Sequence, residues 1–100
     1  MAYEILVGLE VLDNEKYRQY RAAMMPILAQ YEGAFGYDFT VSGVLKSPTK
    51  EPINRVFTLC FSNANKMDSF FSDTEYLKVK KQYFNHSVGS TTIISSYEKQ

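Results

Sequence analysis

The sequence predicts an α+β chain, a four-stranded antiparallel sheet with helices on one face. Three observations carry this reading. Apolar residues alternate with period two from Tyr3 to Leu12, from Phe35 to Ser42 and from Arg55 to Ser62. Between the first two runs, Tyr17, Tyr20, Met24, Ile27, Leu28 and Tyr31 recur at spacings of three and four, the stripe of a helix. After the third run, two helix-start signals come close together, and Val88 to Tyr97 is rich in Thr, Ile and Ser, a strand composition. The order is strand, helix, strand, strand, broken helix, strand: the split βαβ pattern of a ferredoxin-like βαββαβ two-layer sandwich, residues 1–100 forming one domain.

In the first strand Tyr3, Ile5, Val7, Leu9 and Val11 share one face. Leu6 and Leu12 make the other face partly apolar, so cover is expected on both sides. Asp13 or Asn14 is suited to cap the first helix, with Glu15 favourable in its first turn. Pro26 removes a backbone donor and predicts a kink, because the stripe continues past it. Gly33 is placed to take the left-handed conformation that ends the helix.

The second strand sets Phe35, Tyr37, Phe39 and Val41 against Gly36, Asp38, Thr40 and Ser42, and Gly43 marks a bulge. Residues 46–52, with Pro48 and Pro52, read as a hairpin loop. In the third strand Arg55, Phe57, Leu59 and Phe61 face the helices and Val56, Thr58 and Cys60 face away. Ser62 or Asn63 caps a short helix holding Met67, Phe70 and Phe71, and Ser72 with Glu75 reads as the capping box of the next. Right-handed crossovers make strands one and three neighbours, which the crossover argument alone would run parallel, with both helices on one face.

Eleven basic and eleven acidic residues cancel, which argues against a nucleic-acid or anionic-membrane surface. No stretch approaches the roughly 20 apolar residues of a membrane span. The N-terminal Met1-Ala2-Tyr3-Glu4 opens no secretory leader, and the single Cys60 fits a reducing cytosol, so a cytoplasmic location is expected.

Several short motifs carry a resemblance. They are Tyr17-x-x-Tyr20-Arg21-Ala22-Ala23, Pro26 within that helix, Tyr31-Glu32-Gly33-x-Phe35, Arg55-Val56, Phe61-Ser62 and Phe71-Ser72-Asp73-Thr74-Glu75-Tyr76. Over roughly residues 3 to 97 the chain resembles the small bacterial family called domain of unknown function 1330, within the dimeric α+β barrel superfamily. That family often has an Arg near the position of Asp38 or Phe39 and an acid at the position of Cys60, where this chain departs from it. The resemblance implies the fold and a homodimer formed through the sheet face, and names no substrate. A solvated face in a monomer is the alternative.

Candidate chemistry is sparse. The one histidine, His86, supports no His-based metal cluster, and no Gly-rich phosphate loop, CxxC or serine-nucleophile motif implies a cofactor. His86, Asp38 and Tyr37 are the candidate polar groups of a reaction; surface placement at a helix end is the plainer account of His86. Cys60 reads as a small packed residue or a nucleophile, and Glu10 and Asp38 as carboxylates on the face away from the helices. Arg55 is a partner for Asp38 only if a strand bulge reverses its facing. Tyr17, Tyr20, Tyr31, Tyr37, Tyr76 and Tyr83 are packed core or the lining of a cavity between helices and sheet. Two functions are expected, both as the resemblance implies: binding of a small apolar or aromatic metabolite, or cofactor-free oxygenation or isomerisation of an aromatic or enol-type metabolite. The second requires a cavity on the order of a few hundred Å³ with convergent polar groups.

Overall fold

Period-two alternation puts Ile5, Val7, Leu9 and Val11 on one face of β1 (Ala2–Val11), and all four are buried there. The structure, a computed structural model, describes residues 2–100. Met1, part of the stretch read for a leader, lies outside the described residues. The remaining strands are β2 (Ala34–Thr40), β3 (Arg55–Phe61) and β4 (Val88–Lys99), in the sheet order β2-β3-β1-β4.

Every neighbouring pair is antiparallel. β1 and β3 are adjacent as expected but run in opposite directions, from Tyr3 opposite Phe61 to Leu9 opposite Arg55. The parallel expectation fails because each helical crossover steps over one strand. The first helix carries the chain from β1 across the place of β3 to β2, and β3 returns between them by a hairpin.

Helix α1 (Asn14–Gln30) starts where the Asp13 carboxylate accepts the Lys16 N–H at 2.9 Å. It buries Tyr17, Tyr20, Met24 and Leu28 and runs through Pro26, whose position on the exposed side leaves the unbonded Ala22 carbonyl open to water. The left-handed residue at its end is Glu32, with φ 59°, and not Gly33. Gly33 is needed for space: a Cβ there would lie 2.5 Å from Leu28 Cδ1 and 2.7 Å from Phe61 Cε1.

Asn63 caps α2 (Ala64–Ser72), and α3 (Thr74–Gln82) follows after one residue. That residue, Asp73, is the cap of α3 in place of the expected Ser72. Its Oδ1 accepts the N–H groups of Glu75 and Tyr76 at 2.8 and 3.0 Å, while Ser72 Oγ donates back to the Asp68 carbonyl at 2.8 Å. The Tyr31 hydroxyl donates to Asp73 Oδ2 at 2.5 Å, tying the end of α1 to the α2–α3 junction. A 3₁₀ turn, Phe84–His86, leads into β4. The core lies between β1, β3 and the helices, with the Phe61, Phe70 and Tyr76 rings in tilted contact at centroid distances of 5.7 and 4.4 Å.

β2 holds the feature that sets the site. Phe35 lies opposite Leu59, but the next regular pair is Asp38 with Phe57, so Gly36 and Tyr37 together face Thr58. This is a bulge, at Gly36–Tyr37 and not at Gly43, which lies outside the strand. It reverses the expected facing of the strand beyond it: Asp38 and Thr40 turn toward the helices, and Phe39 turns outward opposite Val56.

The face away from the helices is uncovered. Phe39 is 50% and Ile94 47% exposed, beside a hollow of about 370 Å³ lined in part by Val41, Val44, Ile53 and Val56. Glu4, near one end of this face, is covered by the Tyr97 hydroxyl, which donates to it, and by the Lys99 ammonium at 3.2 Å. The Tyr97 hydrogen bond, helped by Lys99, holds the Glu4 carboxyl below its ordinary range.

Candidate functional site

The helices cover the central strands but leave β4 partly open, and a groove enters the sandwich there. Ile5, Val7 and Leu9 of β1 and Phe57 and Leu59 of β3 form its floor. The walls come from Phe71, Tyr76, Lys80 and Phe84 on one side and Thr91 and Ile93 on the other. Its volume is about 230 Å³. Antiparallel register explains the β4 wall: Thr91 lies opposite Leu9 and Ile93 opposite Val7, so both share the helix-facing side, and Ile93 remains 57% exposed at the mouth.

Two hydroxyls converge in this apolar space. Tyr20, on the buried stripe of α1, and Tyr76, in the first turn of α3, meet with their oxygens 2.9 Å apart. The Tyr20 ring meets Phe84 edge-on at 5.0 Å, and Tyr76 packs on Phe70 at 4.4 Å, so both rings are held on two sides. Burial pushes both phenols above the ordinary tyrosine value. The pair is therefore neutral near pH 7. One hydroxyl donates to the other, and the second proton is free to point at an acceptor in the groove.

A charged cluster occupies the opposite side of α1. Asp38, turned inward by the bulge, accepts from Arg55 Nε at 2.8 Å and Arg55 Nη2 at 3.0 Å, and from Arg21 Nη2 at 3.0 Å. The Arg55 fork, then Arg21, holds the Asp38 carboxyl below its ordinary range. The expectation that Asp38 faces away from the helices is thus corrected, and the bulge condition for pairing it with Arg55 is met. Burial raises the Tyr17 phenol, whose oxygen accepts from Arg21 Nη1 at 3.3 Å.

The three expected polar groups are not brought together. Tyr37 projects from the bulge, 72% exposed, its N–H donating to Thr58 Oγ1 at 2.8 Å. His86 is exposed in the turn before β4. β4 and β2 are opposite edges of the sheet, three strand spacings or about 14 Å apart. Neither Tyr37, Asp38 nor His86 lines the groove at β4. Cys60 is half-buried opposite Glu4 on the uncovered face, and Glu10 lies opposite Ser90 on that face. Of the tyrosines proposed for a cavity, Tyr20 and Tyr76 line this groove. Arg21 and Glu4 carry no functional role in the sequence reading; Arg21 stands in the Tyr17-x-x-Tyr20-Arg21 motif, four residues after Tyr17 on the flank of the stripe, and these are its two signals. Among the described residues no three His, Cys, Asp or Glu side chains gather closely enough to hold a metal ion, and no helix is long and apolar enough to cross a membrane.

Solved structures share this architecture. A protein of unknown function from Rhodopseudomonas palustris superposes with a TM-score of 0.81 at 15% identity, covering 99% of this chain and 82% of its own. A dimeric ferredoxin-like protein of unknown function from Thermobifida fusca gives 0.63 at 10% identity, covering 99% and 92%. A candidate antibiotic biosynthesis monooxygenase from Caulobacter crescentus gives 0.67 at 8% identity, covering 99% and 90%. At these identities the likeness is one of fold. No curated protein matches the chain. The sequence profile of a family described as Domain of unknown function (DUF1330) matches residues 1–97.

Proposed function

The chain belongs to the DUF1330 family, and from that premise we propose that it is a cytoplasmic homodimer that binds a small apolar or aromatic metabolite in the groove between α3 and β4. The observation that carries the binding reading is the Tyr20–Tyr76 hydroxyl pair inside an apolar groove of about 230 Å³. A ring-sized molecule fits that space, and the free hydroxyl proton selects one with an acceptor oxygen. Lys80 at the wall offers a second, cationic contact to such an oxygen.

The geometry favours binding over turnover. Cofactor-free oxygenation or isomerisation needs a base to remove a proton from the substrate. Both groove phenols are held protonated by burial, and Asp38, Tyr37 and His86 stand outside the groove. The dimer reading is supported by the exposed Phe39 and Ile94 on the uncovered face, and by the dimeric description of the Thermobifida fusca relative in fold.

Titration of the ¹⁵N-labelled protein with 4-methylacetophenone, against p-xylene as the analogue lacking an oxygen acceptor, tests the binding reading. Saturable shifts of the Tyr76, Lys80 and Phe84 amides, larger with the ketone, are expected. No saturable shift with either compound refutes it.

A further inference from the structure

We propose that the groove flanking α1 on its β2 side binds a small carboxylate attached to an apolar body. This groove holds about 550 Å³, and its lining carries three guanidinium groups, Arg18, Arg21 and Arg55, and no carboxylate. Arg18 is balanced by Glu15 at 2.7 Å on the exposed surface. Arg21 and Arg55 are different, because they share one acid, Asp38, which does not itself line the groove. Two cations against one anion leave a unit of positive charge facing the groove.

Donors remain to hold an anion. Each guanidinium has five N–H bonds. Arg55 uses its Nε and Nη2 on Asp38, and Arg21 gives its Nη2 to Asp38 and its Nη1 to the Tyr17 hydroxyl. The rest have no partner among the described residues. Both planes are already fixed, since the Arg21 guanidinium lies 3.7 Å over the Phe35 ring and that of Arg55 lies 5.2 Å from the Tyr17 ring. Ordering two long side chains is the usual cost of such a site, and here Asp38 and the rings have met it before any ligand arrives.

The rest of the lining selects the ligand. Ala22 and the exposed Met25 give an apolar wall beside the cations. One residual charge suits a carboxylate better than a phosphate dianion. α1 separates this groove from the one at β4, so the inference stands apart from the proposed function.

The test is a titration of the ¹⁵N-labelled protein with benzoate, reading the Nε–H signals of Arg21 and Arg55. Benzamide serves as the neutral control and inorganic phosphate as a second anion. Saturable shifts with benzoate at millimolar concentration, absent with benzamide, are expected. Arg21→Met should then weaken binding by about tenfold or more, the loss of a charge-assisted contact. Arg21→Lys, which keeps the charge without the planar fork, should weaken it severalfold and serves if the methionine variant fails to fold. Absence of a benzoate shift, equal shifts with benzamide, tighter binding of phosphate, or unchanged affinity in Arg21→Lys each overturn the proposal.

Discussion

The Asp38 carboxylate and the Arg55 guanidinium form a two-point contact, with Nε at 2.8 Å and Nη2 at 3.0 Å, only because the bulge at Gly36–Tyr37 turns Asp38 onto the helix side. Regular alternation would have sent Asp38 to the opposite face of the sheet. The pair joins the edge strand β2 to β3, and Arg21 extends it to α1.

Asp38→Asn should therefore lower stability, by about 1–2 kcal/mol once screening by solvent on the open side is allowed for. The pH dependence has a definite sign. A carboxylate whose folded pKa is depressed stabilises the protein fully above its unfolded value, about 3.9 for Asp, and this is lost as the pH falls through the lower folded value. Urea unfolding should show the full difference between wild type and variant near pH 7 and a smaller one below pH 4. An equal difference at both would show that Asp38 acts through shape and not charge.

Gly36 sets the bulge by its lack of a side chain. A Cβ there would collide with Thr58 Oγ1, the atom that accepts the Tyr37 N–H at 2.8 Å. Gly36→Ala should cost about 1–3 kcal/mol through overpacking. Thr58→Ala should also destabilise, because it leaves the Tyr37 N–H without that acceptor. Combined, the two should cost less than their sum by about 1 kcal/mol, since removing Oγ1 makes room for the new methyl. Strict additivity in thermal unfolding would count against this account of the bulge.

The contrast between β1 and β2 shows where the sequence was legible. In β1 every second residue from Ile5 to Val11 is apolar and buried, so period and burial agree. In β2 Phe35, Tyr37 and Phe39 also alternate, yet only Phe35 packs on the core. Nothing local distinguishes Gly36, which makes the bulge, from Gly43, which does not; the difference is the Thr58 hydroxyl on a neighbouring strand. The tyrosine pair was legible as two members of a list of six, because helical spacing puts Tyr20 and Tyr76 on buried stripes without showing that the two helices bring their hydroxyls together. Of the Arg21–Asp38–Arg55 cluster, which depends on the bulge, only the Asp38–Arg55 pair was visible, and only as a condition.

Tyr20 and Tyr76 should behave as a coupled pair. Tyr20→Phe or Tyr76→Phe alone leaves one buried hydroxyl without its partner and should cost about 1–2 kcal/mol. The double replacement removes both polar atoms from an apolar setting and should cost little more than either single change, a coupling measurable by a double-mutant cycle in urea. The double variant should also bind 4-methylacetophenone no better than p-xylene if the free hydroxyl proton recognises an acceptor. Full retention of the preference for the ketone would assign that recognition to another group.

The uncovered sheet face should hold the dimer together. Phe39 and Ile94 are half-exposed there, while Glu4 on that face is already satisfied by Tyr97 and Lys99, so covering the face strands no charge at Glu4. Light scattering at micromolar concentration should give about twice the 11.5 kDa of one chain. Phe39→Glu places an unpaired carboxylate on that face and should shift the mass to the monomer. Leu77→Glu, at a comparably exposed position on α3, should not, because the helical side takes no part in the contact. Loss of the dimer in Leu77→Glu with its retention in Phe39→Glu would move the interface to the helices, where it would compete with entry to the groove at β4.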